Sequence, residues 1–161
     1  MTKRILIVAA LLFAALEASA GDFVDEMCKS YKSREGAQVV TMGKGMLSVA
    51  FAGADKQSKA VLKKIKQMTI VALDPKVDGL MASLESDLAS LESKGAQMIG
   101  ESTDPKTKMW FKAYVVKEGE YYTHLLMLFK TEDSKNQGLI DMSGQFLESE
   151  LETLRKSAKP L

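Results

Sequence analysis

Apolar residues crowd most densely between positions 108 and 144. Residues 109–116, from Met109 to Val116, run into the turn Lys117-Glu118-Gly119-Glu120. Residues 121–129, from Tyr121 to Phe129, run into a polar turn from Thr131 to Gly138, and a weaker run, Leu139-Ile140-Asp141-Met142-Ser143, follows. Aromatic and β-branched residues bounded by Gly, Asn and Asp predict strands joined by hairpins. The stretch from Leu125 to Phe129 is apolar without a break, which predicts a central strand covered on both faces. Alternation along it puts His124 with Tyr122, Leu126 and Leu128, and turns Thr123, Leu125, Met127 and Phe129 the other way.

Upstream the period lengthens. Phe23, Met27 and Tyr31, with Val24 and Cys28 beside them, form one face of a helix over 22–32, with acidic residues at its start and basic ones at its end. A strand over 37–42 leads through Gly43-Lys44-Gly45 into a helix over 46–53 that is apolar almost all round. Asp55 or Ser58 caps a second short helix through Val61, Leu62 and Ile65, and a strand over 68–73 ends at Asp74-Pro75. An aspartate N-cap followed by proline opens a helix. Its stripe is Val77, Leu80, Met81, Leu84, Leu88 and Leu91, and Lys94-Gly95 ends it. A weaker strand over 96–102 precedes the meander, and Phe146, Leu147, Leu151 and Leu154 suggest a closing helix before a frayed tail from Lys156 to Leu161. The expected fold is α+β: a mostly antiparallel sheet with a C-terminal strand meander, about 96–144, packed by amphipathic helices. The pairing of the first two strands is left open.

The N-terminus follows a different pattern. Lys3 and Arg4 precede an apolar run from Ile5 to Leu16, and Ala18-Ser19-Ala20 closes it. Those are the three parts of a secretory signal peptide. The run is shorter than the roughly 20 residues that span a bilayer as a helix. The expectation is a signal peptide over 1–20, cleavage near Ala20/Gly21, and one exported domain over 21–161 with no transmembrane segment after processing. Asp25-Glu26-Met27 before Cys28 does not match a lipoprotein signal, so Cys28 is expected to be a buried, inert thiol.

Taking away Lys3, Arg4 and Glu17 leaves 20 basic and 20 acidic residues. A neutral domain has no overall field to draw it to nucleic acid. The one dense positive patch is Lys56, Lys59, Lys63, Lys64 and Lys66, read as a solvated helix face. Gly43-Lys44-Gly45 lacks the spacing of a phosphate loop, and residues 132–138 lack the alternating ligands of a calcium loop. His124 is the lone histidine and Cys28 the lone cysteine. Neither a histidine metal cluster nor a disulfide can be built from them. His124 with Asp141 or Asp133 is the one combination that resembles a base and its orienting carboxylate, and a structural histidine is the simpler reading. Nine methionines remain after the leader, read as adaptable core filling. No catalytic, cofactor-binding or metal-binding residue is assigned.

Four pieces of the chain, residues 39–47, 62–71, 123–129 and 139–146, resemble in order and spacing an exported bacterial family known as domain of unknown function 4252. The resemblance runs from about Phe23 to Leu154. It implies an α+β fold and a cell-envelope location in Gram-negative bacteria, and it brings no activity. Many members carry glutamate where this chain has His124. The function expected is a non-enzymatic periplasmic module that binds an envelope protein, a peptide or a glycan. The natural site would be a sheet edge or a groove between the meander and the helix after Asp74. The alternatives are a carrier of a small apolar or lipid ligand and, behind it, a small hydrolase.

Overall fold

The computed structural model describes residues 20–157. Residues 1–19 and 158–161, and with them nearly all of the predicted leader and the end of the tail, lie outside the described residues, as does the side chain of Leu154. Eleven elements follow one another: α1 (Ala20–Ser30), β1 (Ala37–Gly43), α2 (Lys44–Ala50), α3 (Lys56–Leu62), β2 (Ile65–Leu73), α4 (Leu80–Glu92), β3 (Ala96–Thr103), β4 (Trp110–Glu118), β5 (Tyr121–Lys130), β6 (Gln137–Phe146) and α5 (Glu148–Ser157). A 3-10 turn, Tyr31–Ser33, extends α1. The strands form one six-stranded sheet in the order β1-β2-β6-β5-β4-β3, and every neighbouring pair is antiparallel. The fold is α+β, and β3 to β6 are the predicted meander. β2 adds to the free edge of β6, which resolves the pairing left open.

Strand register sorts side chains onto two faces. On one, Val71, Leu128, Leu139 and Leu126 meet Val24, Met27 and Cys28 of α1 and the Leu80, Leu84, Leu88 and Leu91 stripe of α4. Leu84 and Leu88 are wholly buried there. Burying each side chain contributes about 1.5–3 kcal/mol relative to leaving it in water. On the other face, α2, α3 and α5 close one end over Leu47, Val61, Ile65, Met68, Tyr122 and Phe146.

Several boundaries differ from expectation, each for a local reason. Asp74 does not open a helix: its Oδ1 accepts the Lys76 amide at 2.9 Å, capping a turn, while α4 begins at Leu80 behind the left-handed Gly79 (φ 83°). Ile65 leaves the helix and starts β2 opposite Gly144, and Phe146 closes β6 opposite Tyr122. Gly43 is the extended cap of α2, whose first turn absorbs Lys44 and Gly45. The helix read as apolar almost all round buries Leu47 and shows Met46 and Val49 to solvent, at 60% and 77% exposure.

A bulge reorders the start of β5. Val116 pairs with His124 but Lys117 pairs with Tyr122, so Thr123 is an extra residue relative to β4. Bulges bend a strand and re-aim side chains. Tyr122 therefore sits in the cluster of Phe146 and Leu125, not beside Leu126 as simple alternation predicts, and donates from its hydroxyl to Glu148 Oε2 at 3.1 Å. Thr123 Oγ1 is left buried without a hydrogen-bond partner.

Candidate functional site

The sheet face under α1 carries a polar row inside an apolar surface. Thr69 stands opposite Asp141, and His124 lies two residue pairs farther along, opposite Ser143. Asp141 is 2% exposed and His124 6%. His124 Nδ1–H donates to Asp141 Oδ1 at 2.8 Å. Burial alone favours the neutral ring, but the hydrogen bond and charge of Asp141, reinforced by Asp25 and Glu118, outweigh it and hold the His124 pKa above its ordinary value. Burial also raises Asp141, against the opposing pull of His124.

The orienting carboxylate of a catalytic dyad is thus in place, and the cleft is not. The far side of the ring is roofed by the start of α1: a Cβ at Gly21 would lie 3.1 Å from His124 Nε2. Cys28, on the same helix, is buried, and desolvation followed by the charges of Asp141 and Asp25 pushes its thiol up to about 12. Such a thiol holds no useful thiolate near neutral pH. Asp133 is not part of the group. It lies in the β5–β6 turn, where its Oδ1 accepts from Thr131 Oγ1 at 2.7 Å and from the Lys135 amide at 3.0 Å. Those bonds also explain the acidic turn, whose carboxylate serves the hairpin. Among the described residues no group of three or more His, Cys, Asp and Glu is arranged to hold a metal.

The expected groove between the meander and α4 is filled by the leucine stripe. The open surface lies on the opposite face. Register aligns Val40, Ile70, Ile140, Met127 and Ala113 in one row across five strands. The row on one side of it holds Met42, Met68, Met142, Leu125 and Val115, and the row on its other side holds Phe129 and Phe111. Val40 is 51% exposed, and Phe111, Ala113, Met127 and Phe129 are only partly buried and belong to neither core cluster. Four of the nine methionines, Met42, Met68, Met127 and Met142, share this face; Met68 is buried in the cluster under α2, α3 and α5, Met42 and Met142 pack against that cluster, and Met127 stands clear of it. The signal was present in the sequence as apolar residues at both parities of β5, which a two-sided core and an apolar binding face explain equally.

Two lesser features complete the surface. A groove of about 620 Å³ at the end of β1 and β2 is lined by Ala37, Asp74, Phe129 and Lys135 among others, a mixed wall with its charges of opposite sign. At the α3 end of the open face, Lys56, Lys59, Lys63 and Lys66 are exposed, and Lys64 is paired with Glu150. Asp55 caps α3 by accepting the Ser58 amide at 2.9 Å.

No helix among the described residues is long and apolar enough to cross a membrane. Neither a curated protein nor a solved structure matches the chain. A family model does: Domain of unknown function (DUF4252) matches residues 31–154, from the turn after α1 into α5, and the chain belongs to that family.

Proposed function

We propose that this protein is a non-enzymatic, exported cell-envelope module whose open sheet face receives the apolar side of an acidic amphipathic helix from an envelope protein. The observation that carries the reading is the row Val40, Ile70, Ile140, Met127 and Ala113, apolar along its whole length; Ile70 and Ile140 pack against the second core cluster, while Val40, Met127 and Ala113, with Phe111 and Phe129 beside them, belong to neither cluster. Five strands span roughly 20 Å, wide enough to seat a helix about 10 Å across. Thioether side chains adapt to an incoming surface, which suits Met127 on a docking face, with half-buried Met42 and Met142 in the neighbouring row. The exposed lysines of α3 border one end of that face and complement acidic flanks on the incoming helix. Export is supported by the basic start, apolar run and Ala18-Ser19-Ala20 pattern. Catalysis draws no support from His124, whose ring is paired on one side and roofed on the other.

A photo-crosslinking amino acid at position 127, in cells, tests the reading, with one at position 85 on the exposed side of α4 as control. The expected result is an adduct from position 127 to one envelope protein, mapped to a helix with acidic flanks. It should be absent from position 85 and lost in Phe129→Asp. Adducts to lipid alone, or none, would overturn it.

A further inference from the structure

The backbone nitrogen of Gly21 donates to Glu118 Oε1 at 3.2 Å, across 97 residues of chain. Glu118 ends β4, and none of the salt bridges formed among the described residues involves it. Position 21 is tight: a Cβ would stand 2.7 Å from Glu118 Oε1 and 3.1 Å from His124 Nε2, so a larger residue would have to push the Glu118 carboxylate away from this nitrogen. A carboxylate is therefore held against one particular backbone nitrogen, which within an intact chain is a neutral amide.

That nitrogen is also the one that follows the Ala18-Ser19-Ala20 pattern. Hydrolysis of the Ala20–Gly21 bond by a signal peptidase adds water across it. The carboxylate remains on Ala20, and the new amine on Gly21 takes up a proton. We infer that leader removal turns the Gly21–Glu118 hydrogen bond into a salt bridge that pins the new start of α1 over His124 and Asp141. The inference rests on the export reading.

The physical need is specific. A positive charge at the N-terminus of a helix opposes the helix dipole, and a freed first turn tends to fray. Glu118 offsets the first effect from outside the helix, and the fixed geometry counters the second. Asp22 and Asp25, within the first turns of α1, act in the same sense. Charge-assisted hydrogen bonds are roughly twice as strong as neutral ones, so the processed chain holds its roof more firmly than the precursor does. Glycine at 21 lets the Glu118 carboxylate reach this nitrogen without being displaced by a Cβ.

Two measurements test this separately. The intact mass of the protein purified from the cell envelope reads the cut; any terminus other than Gly21 overturns the processing half. The second is a cycle on the mature chain, with free or enzymatically acetylated Gly21, in wild type and Glu118→Gln. Acetylation should lower the thermal midpoint of wild type by about 4 °C and leave that of Glu118→Gln unmoved or raised, since no carboxylate at 118 then offsets the terminal charge against the helix dipole. Equal effects in both backgrounds, or none in wild type, would overturn the salt bridge even if the cut is where expected.

Discussion

His124 and Asp141 sit on adjacent strands, 2.8 Å apart from Nδ1 to Oδ1 and both nearly sealed from water. Removing one partner of such a pair leaves the other buried without compensation, which costs about 3–5 kcal/mol. Asp141→Ala is therefore expected to be destabilised by that amount in urea denaturation. Replacing both residues by apolar ones of similar size is expected to be neutral or stabilising, by up to about 4 kcal/mol. A single variant as stable as wild type would take the pair out of the core.

Stability should fall as the solution turns alkaline. The folded His124 pKa lies above its unfolded value of 6.5, so its contribution is whole below that pH and is lost as pH rises through the folded value. Asp141, raised above 3.8 by burial, acts in the same sense lower on the scale. The denaturation midpoint, followed upward from about pH 6, should decline in wild type and flatten in His124→Gln. A midpoint that rises over that range would contradict the assignment.

Gly138 is a packing requirement of β6. A Cβ there would come within 2.0 Å of the Val71 carbonyl oxygen on the neighbouring strand. Gly138→Ala must push β2 and β6 apart, and an expected loss of about 1–3 kcal/mol for a strained position would appear as a lowered thermal midpoint.

Cys28 should behave as a core residue. With the thiol buried and raised to about 12, a thiol reagent at neutral pH is expected to label it only as fast as the protein opens, and completely in denaturant. Rapid native labelling would place Cys28 in an accessible site.

The order of elements was legible because each run of residues carries its own period and punctuation. The stripe from Leu80 to Leu91 and the two hairpins needed nothing from the rest of the chain. Asp74-Pro75 misled because its capping chemistry suits a turn as well as a helix, and only the left-handed Gly79 decides between them. The Thr123 bulge had no local signal, since it answers to the registers of β4 and β6 together. His124 with Asp141 was one of two pairings the sequence offered, and antiparallel adjacency of β5 and β6 selected it. The open face was the least legible feature. Whether apolar residues at both parities are sealed depends on where the helices settle, and α2 and α3 settle at one end.

Leu126 and Met127 are consecutive in β5 and stand on opposite sides of the sheet, the first wholly buried beneath α1 and α4, the second on the unsealed face. The most direct measurement is the denaturation midpoint of Leu126→Asp and Met127→Asp in the isolated mature protein. An open face predicts that Met127→Asp folds and loses about 1 kcal/mol or less, while Leu126→Asp, burying an unpaired carboxylate, fails to fold cooperatively. Equal and severe loss in both would mean that Met127 is core, and would remove the surface on which the proposed function stands.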